Sequence, residues 1–138
     1  MSAKDKFHDS VKNALIKDGW TITADPLQIK LGDIDAYIDL GAEKLLTAEK
    51  NGEKIAVEIK SFLGASNIYD FYLAFGQFLN YREALNTQEP ERVLFLAVPV
   101  NVHETFFKNE FILEMIRKFE LKLVSYNIET EEIVKWIK

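Results

Sequence analysis

Two charged side chains interrupt the apolar run EKIAVEIKSF, at residues 53–62. A strand over this run sends alternate side chains to opposite faces, which places Glu58 and Lys60 on the same face. Burying an ionised pair costs free energy unless neighbouring groups compensate for the lost water. The pair therefore belongs either to a sheet face that water reaches or to a functional site.

A third ionisable residue, Asp39, precedes the pair in the segment YIDLG. On adjacent strands, the carboxylates of Asp39 and Glu58 could share a divalent cation, with the backbone carbonyl of Ile59 as a further oxygen ligand. Such a cation lowers the pKa of a bound water and stabilises charge on a phosphoryl oxygen. Lys60 could orient or deprotonate that water, or neutralise the developing charge. An isolated E-x-K is common by chance, so a solvated strand pair is the alternative interpretation.

The composition restricts the metal and the partner that such a site could have. The chain has 138 residues with no cysteine and two histidines, which excludes disulfides, thiolate zinc sites and a cysteine nucleophile. Carboxylate ligands favour a hard ion, Mg²⁺ or Mn²⁺. The net charge of −5 argues against strong, independent binding to nucleic acid. It lowers the expectation of a DNA partner without removing it.

The length predicts a single domain over residues 1–138, with a hydrophobic core of its own. The N-terminal residues MSAKDKFHDSVKNAL lack the apolar core of a signal peptide. No apolar run in the sequence reaches membrane-spanning length. We therefore expect a cytoplasmic protein with no membrane partner.

Helical and extended patterns alternate along the chain. A first helix is predicted from a capping-box pattern at Ser2 to Asp18-Gly19. Asn51-Gly52 predicts a type I′ turn between two strands. The other predicted elements are extended segments at 20–22, 27–31, 36–40, 43–50 and 54–60, a helix from an N-cap at Ser66 to Leu85, a buried strand at 92–98, a helix at 102–119, and a hairpin-like pair at 121–126 and 132–137. This order predicts an α/β fold with a mixed sheet, an α-β-β-β-α-β core followed by a helix and a hairpin.

The helix after the hairpin carries two polar residues at a helical spacing. Gln77 and Tyr81, four residues apart, share a face that is offset from the apolar stripe. Together with Asp39, Glu58 and Lys60 they form D … E-x-K … Q-x-x-x-Y, which resembles the PD-(D/E)xK nuclease superfamily and, within it, the RecB-type branch. The resemblance implies a restriction-endonuclease-like fold, in which helices flank a mixed sheet.

The resemblance also implies a role for each of these five residues. The aspartate and the glutamate would bind Mg²⁺ or Mn²⁺, the lysine would serve the attacking water, and the glutamine and the tyrosine would line the site. The RecB-type branch often has a further histidine ligand on its first helix, and His8 occupies the comparable helix here. A histidine near a helix start is, however, more often a polar residue without a function. Ile38 stands where the superfamily often has proline.

Longer segments resemble a narrower family. The chain is similar to the fdxN element excision controlling factor family of the XisH type over residues 6–136. The segments that carry this similarity are KFHDSVKNALIKDGWTITADPL, IDLGAEKLLTAEK, KIAVEIKSF, GQFLNYREAL and LAVPV…FF. This resemblance implies an accessory role in the site-specific excision of a DNA element, alongside a small companion protein. We also expect a homodimer, since the small domain is rich in aromatic residues and two sites would be needed to cut both strands together.

Two classes of function remain open at this point. The complete motif set favours a metal-dependent nuclease that acts on DNA phosphodiesters, since a site that has lost its activity usually loses a ligand. The acidic charge and the lack of a basic patch favour a non-catalytic module that keeps the nuclease fold and binds a protein or DNA.

Overall fold

The computed structural model describes residues 3–36, 45–64 and 66–138. Asp39 and most of the predicted extended segment at 36–40 lie outside these residues, as does the capping-box residue Ser2. None of the helices within the described ranges is long and apolar enough to cross a membrane.

The strands are β1 Thr21–Ala24, β2 Ile29–Leu31, β3 Ile34–Ala36, β4 Leu45–Lys50, β5 Glu53–Ile59, β6 Arg92–Pro99, β7 Leu123–Asn127 and β8 Glu132–Ile137. Six of them form one sheet in the order β1-β4-β5-β6-β7-β8. β6 pairs in parallel with both β5 and β7, and the other neighbours in the sheet pair antiparallel. The predicted mixed α/β fold is thereby confirmed. β2 and β3 form a separate two-stranded hairpin, which the sequence patterns did not predict.

The helices are α1 Ala3–Lys17, α2 Asn67–Gln88, α3 Val100–Glu104 and α4 Glu110–Lys118, with a 3₁₀ turn at Phe106–Lys108. The N-cap prediction at Ser66 is confirmed, because its side chain accepts a hydrogen bond from the backbone N–H of Tyr69. α2 ends at Gln88, one turn beyond the predicted Leu85. Positive φ angles at Asn51 and Gly52 confirm the predicted hairpin turn between β4 and β5.

Apolar side chains cover both faces of the central strands. On one face, Val11 and Leu15 of α1 pack in a cluster with the alternate residues Ile55, Val57 and Ile59 of β5. The other face carries a second cluster that joins α2 to the sheet, and its members include Ala56, Phe71, Phe78, Leu94 and Leu96. The strand residues between the isoleucines therefore point towards α2, as the period of two predicts.

The prediction of one continuous helix at 102–119 is wrong. Three short helical pieces occupy this region, and Asn109 separates the last two with an extended backbone conformation, at φ −60° and ψ 133°. Its side-chain oxygen accepts hydrogen bonds from the N–H groups of Phe111, at 2.9 Å, and Ile112, at 3.2 Å. An asparagine that binds these two donors starts a new helix, and the apolar periodicity alone did not show this break.

Substitution of Asn109 distinguishes a helix break at this residue from one continuous helix, because the two predict changes in stability of opposite sign. Replacing Asn109 with alanine should destabilise the protein by about 1 kcal/mol, because two N–H groups lose their acceptor. Asn109→Asp should keep the cap and retain most of the stability, since a carboxylate also accepts these bonds near the helix N-terminus. Urea unfolding of the three proteins measures both effects. If Asn109→Ala were stabilising, as expected in the interior of a continuous helix, the break at Asn109 would be contradicted.

Candidate functional site

Glu58 lies in the interior of the sheet, on the side that faces α2. Its neighbours in the register are Leu45 on β4 and Leu96 on β6, and 1% of Glu58 is exposed. Lys60, directly after β5, is 4% exposed. The interpretation of Glu58 and Lys60 as a solvated strand pair is therefore wrong. Two ionisable groups are instead buried close together at the end of β5 and directly after it.

Lys60 joins the end of β5 to three other elements. Its backbone N–H donates to the carbonyl of Ala97 on β6, at 3.0 Å, which extends the parallel pairing by one residue beyond the strand. Its ammonium group donates a hydrogen bond to the side-chain carbonyl of Gln77 on α2. The hydroxyl of Tyr126 on β7 lies 3.5 Å from the backbone carbonyl of Lys60 and donates to it. Both the backbone and the side chain of Lys60 are thus held in place.

Gln77 and Tyr81 lie one turn apart on the side of α2 that faces the sheet. Gln77 is half-buried and contacts Lys60 directly. Tyr81 is buried in the apolar cluster that contains Ala56 and Leu96, residues next to Glu58 along β5 and in the register. The structure therefore brings four of the five motif residues to the junction of β5 and α2. The fifth residue, Asp39, lies outside the described residues.

Burial of Tyr126 strongly raises the pKa of its phenol group, so the hydroxyl stays protonated at physiological pH. At physiological pH the protonated hydroxyl can therefore donate a hydrogen bond to the Lys60 carbonyl. The sequence analysis did not select Tyr126, since one tyrosine in a predicted apolar strand carries no signal for such a contact. Its edge-to-face packing against Phe7 of α1, at 6.3 Å between ring centroids, further fixes the ring.

The structure places His8 in a different cluster of charged groups. The Nε2 atom of His8 contacts the carboxylate of Asp25, at 2.9 Å and 3.0 Å from its two oxygens. The ammonium group of Lys12 lies 3.1 Å from the same carboxylate. Burial acts to raise the pKa of Asp25, but the hydrogen bonds and charges of His8 and Lys12 outweigh it and hold this pKa below its usual value. The spacing of His8 and Lys12, four residues apart on one helix, is the sequence signal that could have revealed this cluster.

This arrangement leaves the second ring nitrogen of His8 available. Among the described residues, Nδ1 of His8 is buried and has no hydrogen-bond partner. A neutral imidazole that donates from Nε2 to a carboxylate keeps a lone pair on Nδ1. A carboxylate on the far ring nitrogen is also the usual outer partner of a metal-binding histidine. The apolar side of α1 packs on the opposite face of the sheet from Glu58, however, and the ligand role of His8 stays a prediction.

The donor atoms at the junction of β5 and α2 suit a hard cation. Within residues 3–36, 45–64 and 66–138, no three histidine, aspartate or glutamate side chains lie close enough together to hold a metal ion. The carboxylate of Glu58 and the backbone carbonyl of Ile59 are oxygen donors of the kind that Mg²⁺ and Mn²⁺ prefer. These donors fit the predicted metal in type, and Asp39 would supply the second carboxylate.

A family model and solved structures match this chain over nearly its whole length. No curated protein matches it. The family model described as XisH protein matches residues 1–134. A solved structure of an XisH family protein from Nostoc punctiforme PCC 73102 has 50% identity and a TM-score of 0.90, with 97% of this chain and 100% of that chain covered. An fdxN element excision controlling factor protein from Anabaena variabilis has 49% identity and a TM-score of 0.90, with 97% and 99% covered. The resemblance in the sequence is thus confirmed, and the chain belongs to the XisH family.

Proposed function

We propose that this protein is an accessory factor that controls the site-specific excision of a DNA element, and that it carries a metal-dependent phosphodiesterase site of the PD-(D/E)xK type. The name of the relative from Anabaena variabilis, an excision controlling factor, supports the first part. The second part rests on one observation: Glu58 and Lys60 are buried together at the end of β5, where the ammonium group of Lys60 binds Gln77 of α2.

The energetics of burial make a purely structural role for these residues unfavourable. Removing a carboxylate and an ammonium group from water costs several kcal/mol per ion, and their mutual attraction often does no more than offset that loss. Apolar residues of similar size would usually stabilise a strand between two apolar clusters at least as well. Charged groups that are retained at such a position are typical of functional sites, where stability is given up for chemistry.

The order of elements supports a restriction-endonuclease-like arrangement for the site. α1, the antiparallel pair β4 and β5, α2 and the parallel strand β6 follow the order of the predicted core. The E-x-K residues end the second strand of the antiparallel pair, and the Q-x-x-x-Y residues face them from the next helix. The β2–β3 hairpin is an addition between the first strand and this pair.

In the proposed reaction, Asp39, Glu58 and the carbonyl of Ile59 would hold Mg²⁺ or Mn²⁺, with His8 as a further candidate ligand. The bound ion would activate a water molecule and stabilise charge on the phosphate. Water would form a bond to phosphorus while the bond from phosphorus to the leaving oxygen of the DNA backbone breaks, and the proton that the water gives up would pass through solvent to that leaving oxygen.

Lys60 would position the water and neutralise charge as that bond breaks. The amide of Gln77 takes up one of the three N–H donors of Lys60, which orients the other two. Tyr81 would line the site beside Gln77, one turn further along α2.

The charge of the protein points to a need for partners. A net charge of −5 repels DNA phosphates, so we propose that a small companion protein supplies much of the affinity for DNA. A homodimer would bring two sites to the two strands of a duplex. A function on DNA, without a membrane partner, would place the protein in the cytoplasm.

The same charge favours a second candidate function from another class. A non-catalytic module could keep the nuclease fold and control excision by binding a protein or DNA. In that case the buried residues at the end of β5 would remain from an ancestral site. The two candidates differ in whether purified protein, with its companion and Mg²⁺ or Mn²⁺, cleaves DNA.

Lys60→Met provides the sharpest test of the chemistry, because it removes the charge while it keeps most of the side-chain volume. Cleavage of DNA by the protein and its companion should fall by about 10²- to 10³-fold, as for the loss of a group that stabilises charge in the transition state. Mn²⁺ binding should be retained, and the melting temperature should fall, because Glu58 stays buried without the neighbouring positive charge and the Gln77 carbonyl loses its donor.

The matched control is Lys54→Met, on the exposed part of the same strand, which should cleave at the wild-type rate. Cleavage by Lys60→Met at the wild-type rate would contradict the catalytic assignment. No cleavage by the wild-type protein on single-stranded, duplex or branched DNA would favour the non-catalytic module.

Glu58→Gln tests the metal site by a readout that does not require activity. The neutral amide is a weaker ligand, so the affinity for Mn²⁺, measured by calorimetry with and without a DNA oligonucleotide, should fall at least about tenfold. The melting temperature in the absence of metal should be equal or higher, since a buried amide costs less than a buried carboxylate. Glu53→Gln, on the exposed start of β5, should change neither property. Equal Mn²⁺ affinities for the wild-type protein and Glu58→Gln would remove Glu58 as a ligand.

A further inference from the structure

The outer side of α2 carries an uncovered apolar surface at its N-terminal half. Tyr69 is 60% exposed, Tyr72 is 63% exposed and Leu73 is 47% exposed. They lie at positions three and four residues apart, which places them on one side of the helix together with the half-buried Gly76. We call these four residues, with the neighbouring exposed Ile68, the tyrosine face.

The N-terminal half of the helix is more apolar than the C-terminal half, which carries exposed polar residues such as Glu83 and Asn86. Its inner side packs Phe71, Ala74 and Phe78 into the core, and the first turns of its outer side are apolar as well. A helix that is apolar all round is normally covered on every side. Within the described part of the chain, the tyrosine face is exposed to solvent. A surface of this kind marks an interaction site more often than an accident of composition.

Gly76 gives this face a shape that suits close packing. Apart from its chain neighbours and the backbone of its own helix, a methyl group built on Gly76 would have no heavy atom of the described residues within 4 Å, so no contact with them requires a glycine there. Glycine in an exposed helix interior costs about 1 kcal/mol relative to alanine. A second helix that crosses at Gly76 could approach the backbone closely, with aromatic rings on either side of the contact.

We propose that the occupant of this face is the same face of a second copy of the chain, related by a two-fold axis. The charges favour this partner. Two molecules of net charge −5 repel each other over most of their surfaces, and the tyrosine face carries no ionised side chain. An isologous contact between two neutral apolar faces avoids the repulsion, and Tyr72 of one copy would pack over Gly76 of the other.

The area is sufficient for such a contact. A fully exposed tyrosine presents on the order of 200 Å², so the two tyrosines leave roughly 250 Å² uncovered. Leu73 and Ile68 raise the apolar area to about 400 Å² per copy. With a polar rim, two copies would bury about 1,000 Å² or more in total, the lower bound for a specific interface.

The dimer would form whether or not the candidate site cleaves DNA, but it would set where the two candidate sites lie. Gln77, which contacts Lys60, lies four residues after Leu73 at the margin of the tyrosine face, and Tyr81 lies one turn further along α2, closer to its inner side. Dimerisation through α2 would therefore place one candidate site on each side of a shared helix pair. The state of one copy could then affect the position of Gln77 in the other.

The test is the mass of the protein in solution over a range of concentrations, measured by sedimentation equilibrium. The wild-type protein should form dimers, and the double variant Tyr72→Glu, Leu73→Glu should raise the dimer dissociation constant at least about 30-fold, as for residues at the centre of an interface. Thr87→Glu adds a charge to an exposed position near the other end of α2 and should leave the constant unchanged. Circular dichroism should show that all variants keep the same helix content.

Substitutions of Gly76 provide a second test, because they should stabilise the monomer while a large side chain weakens the dimer. Both Gly76→Ala and Gly76→Gln should raise the melting temperature of the monomer at low concentration, because either residue favours a helix over glycine. Gly76→Gln should weaken the dimer at least about tenfold, because its side chain occupies the space of the partner helix. A monomeric wild-type protein at all concentrations, or a dimer that persists unchanged in the Glu double variant and in Gly76→Gln, would overturn the proposal. A wild-type monomer that binds the companion protein through Tyr72 and Leu73 would also overturn it.

Discussion

The contact between the ammonium group of Lys60 and the side-chain amide of Gln77 joins the sheet to α2 at a point where apolar packing alone would leave a charge in the core. Around it, apolar clusters exclude water from both faces of β5, so the polar groups at the end of the strand must satisfy one another. The contact between Lys60 and Gln77 also restricts the positions of α2, β6 and β7. α2 must present its amide at the correct turn, and the backbone of Lys60 must stay fixed to β6 and β7, which the bonds to Ala97 and from Tyr126 provide.

The position of this contact at the carboxyl end of β5 also explains why the two faces of the sheet differ. Among the described residues, the face under α1 carries no buried Asp, Glu, Lys or Arg side chain, whereas the face under α2 carries both Glu58 and Lys60. α1 therefore contributes mainly stability to the central strands, and α2 contributes both packing and polar side chains. The charged cluster of His8, Lys12 and Asp25 lies at the margin of the α1 side and connects that helix to the end of β1.

Much of this arrangement follows from sequence patterns, and the exceptions have physical reasons. The period of two in β5 and the Asn-Gly turn are local rules, and they placed Glu58 on the correct face and the hairpin at the correct residues. The spacing of Gln77 and Tyr81 predicted a shared side of α2 offset from its apolar stripe, and in the structure Gln77 contacts Lys60 while Tyr81 is buried in the cluster under α2. Asn109 was missed because apolar periodicity continues on both sides of it, and only its side-chain bonds mark the break. Asp25 and Tyr126 make their contacts with residues distant in the sequence, so no short pattern around either residue selects it.

The order of the strands has a consequence for how the chain acquires this structure. β4 and β5 are joined by a two-residue turn, so this hairpin can form within microseconds from local contacts. β5 and β6 are separated in the sequence by α2, so their parallel pairing requires this long connection to close. Such non-local pairings form slowly. Glu58 and Lys60 would therefore remain hydrated on an open hairpin during the early events, and they would lose water only when α2 docks. The dehydration of this pair then belongs to the late part of folding, where it raises the barrier to the native state and helps to set the folding rate.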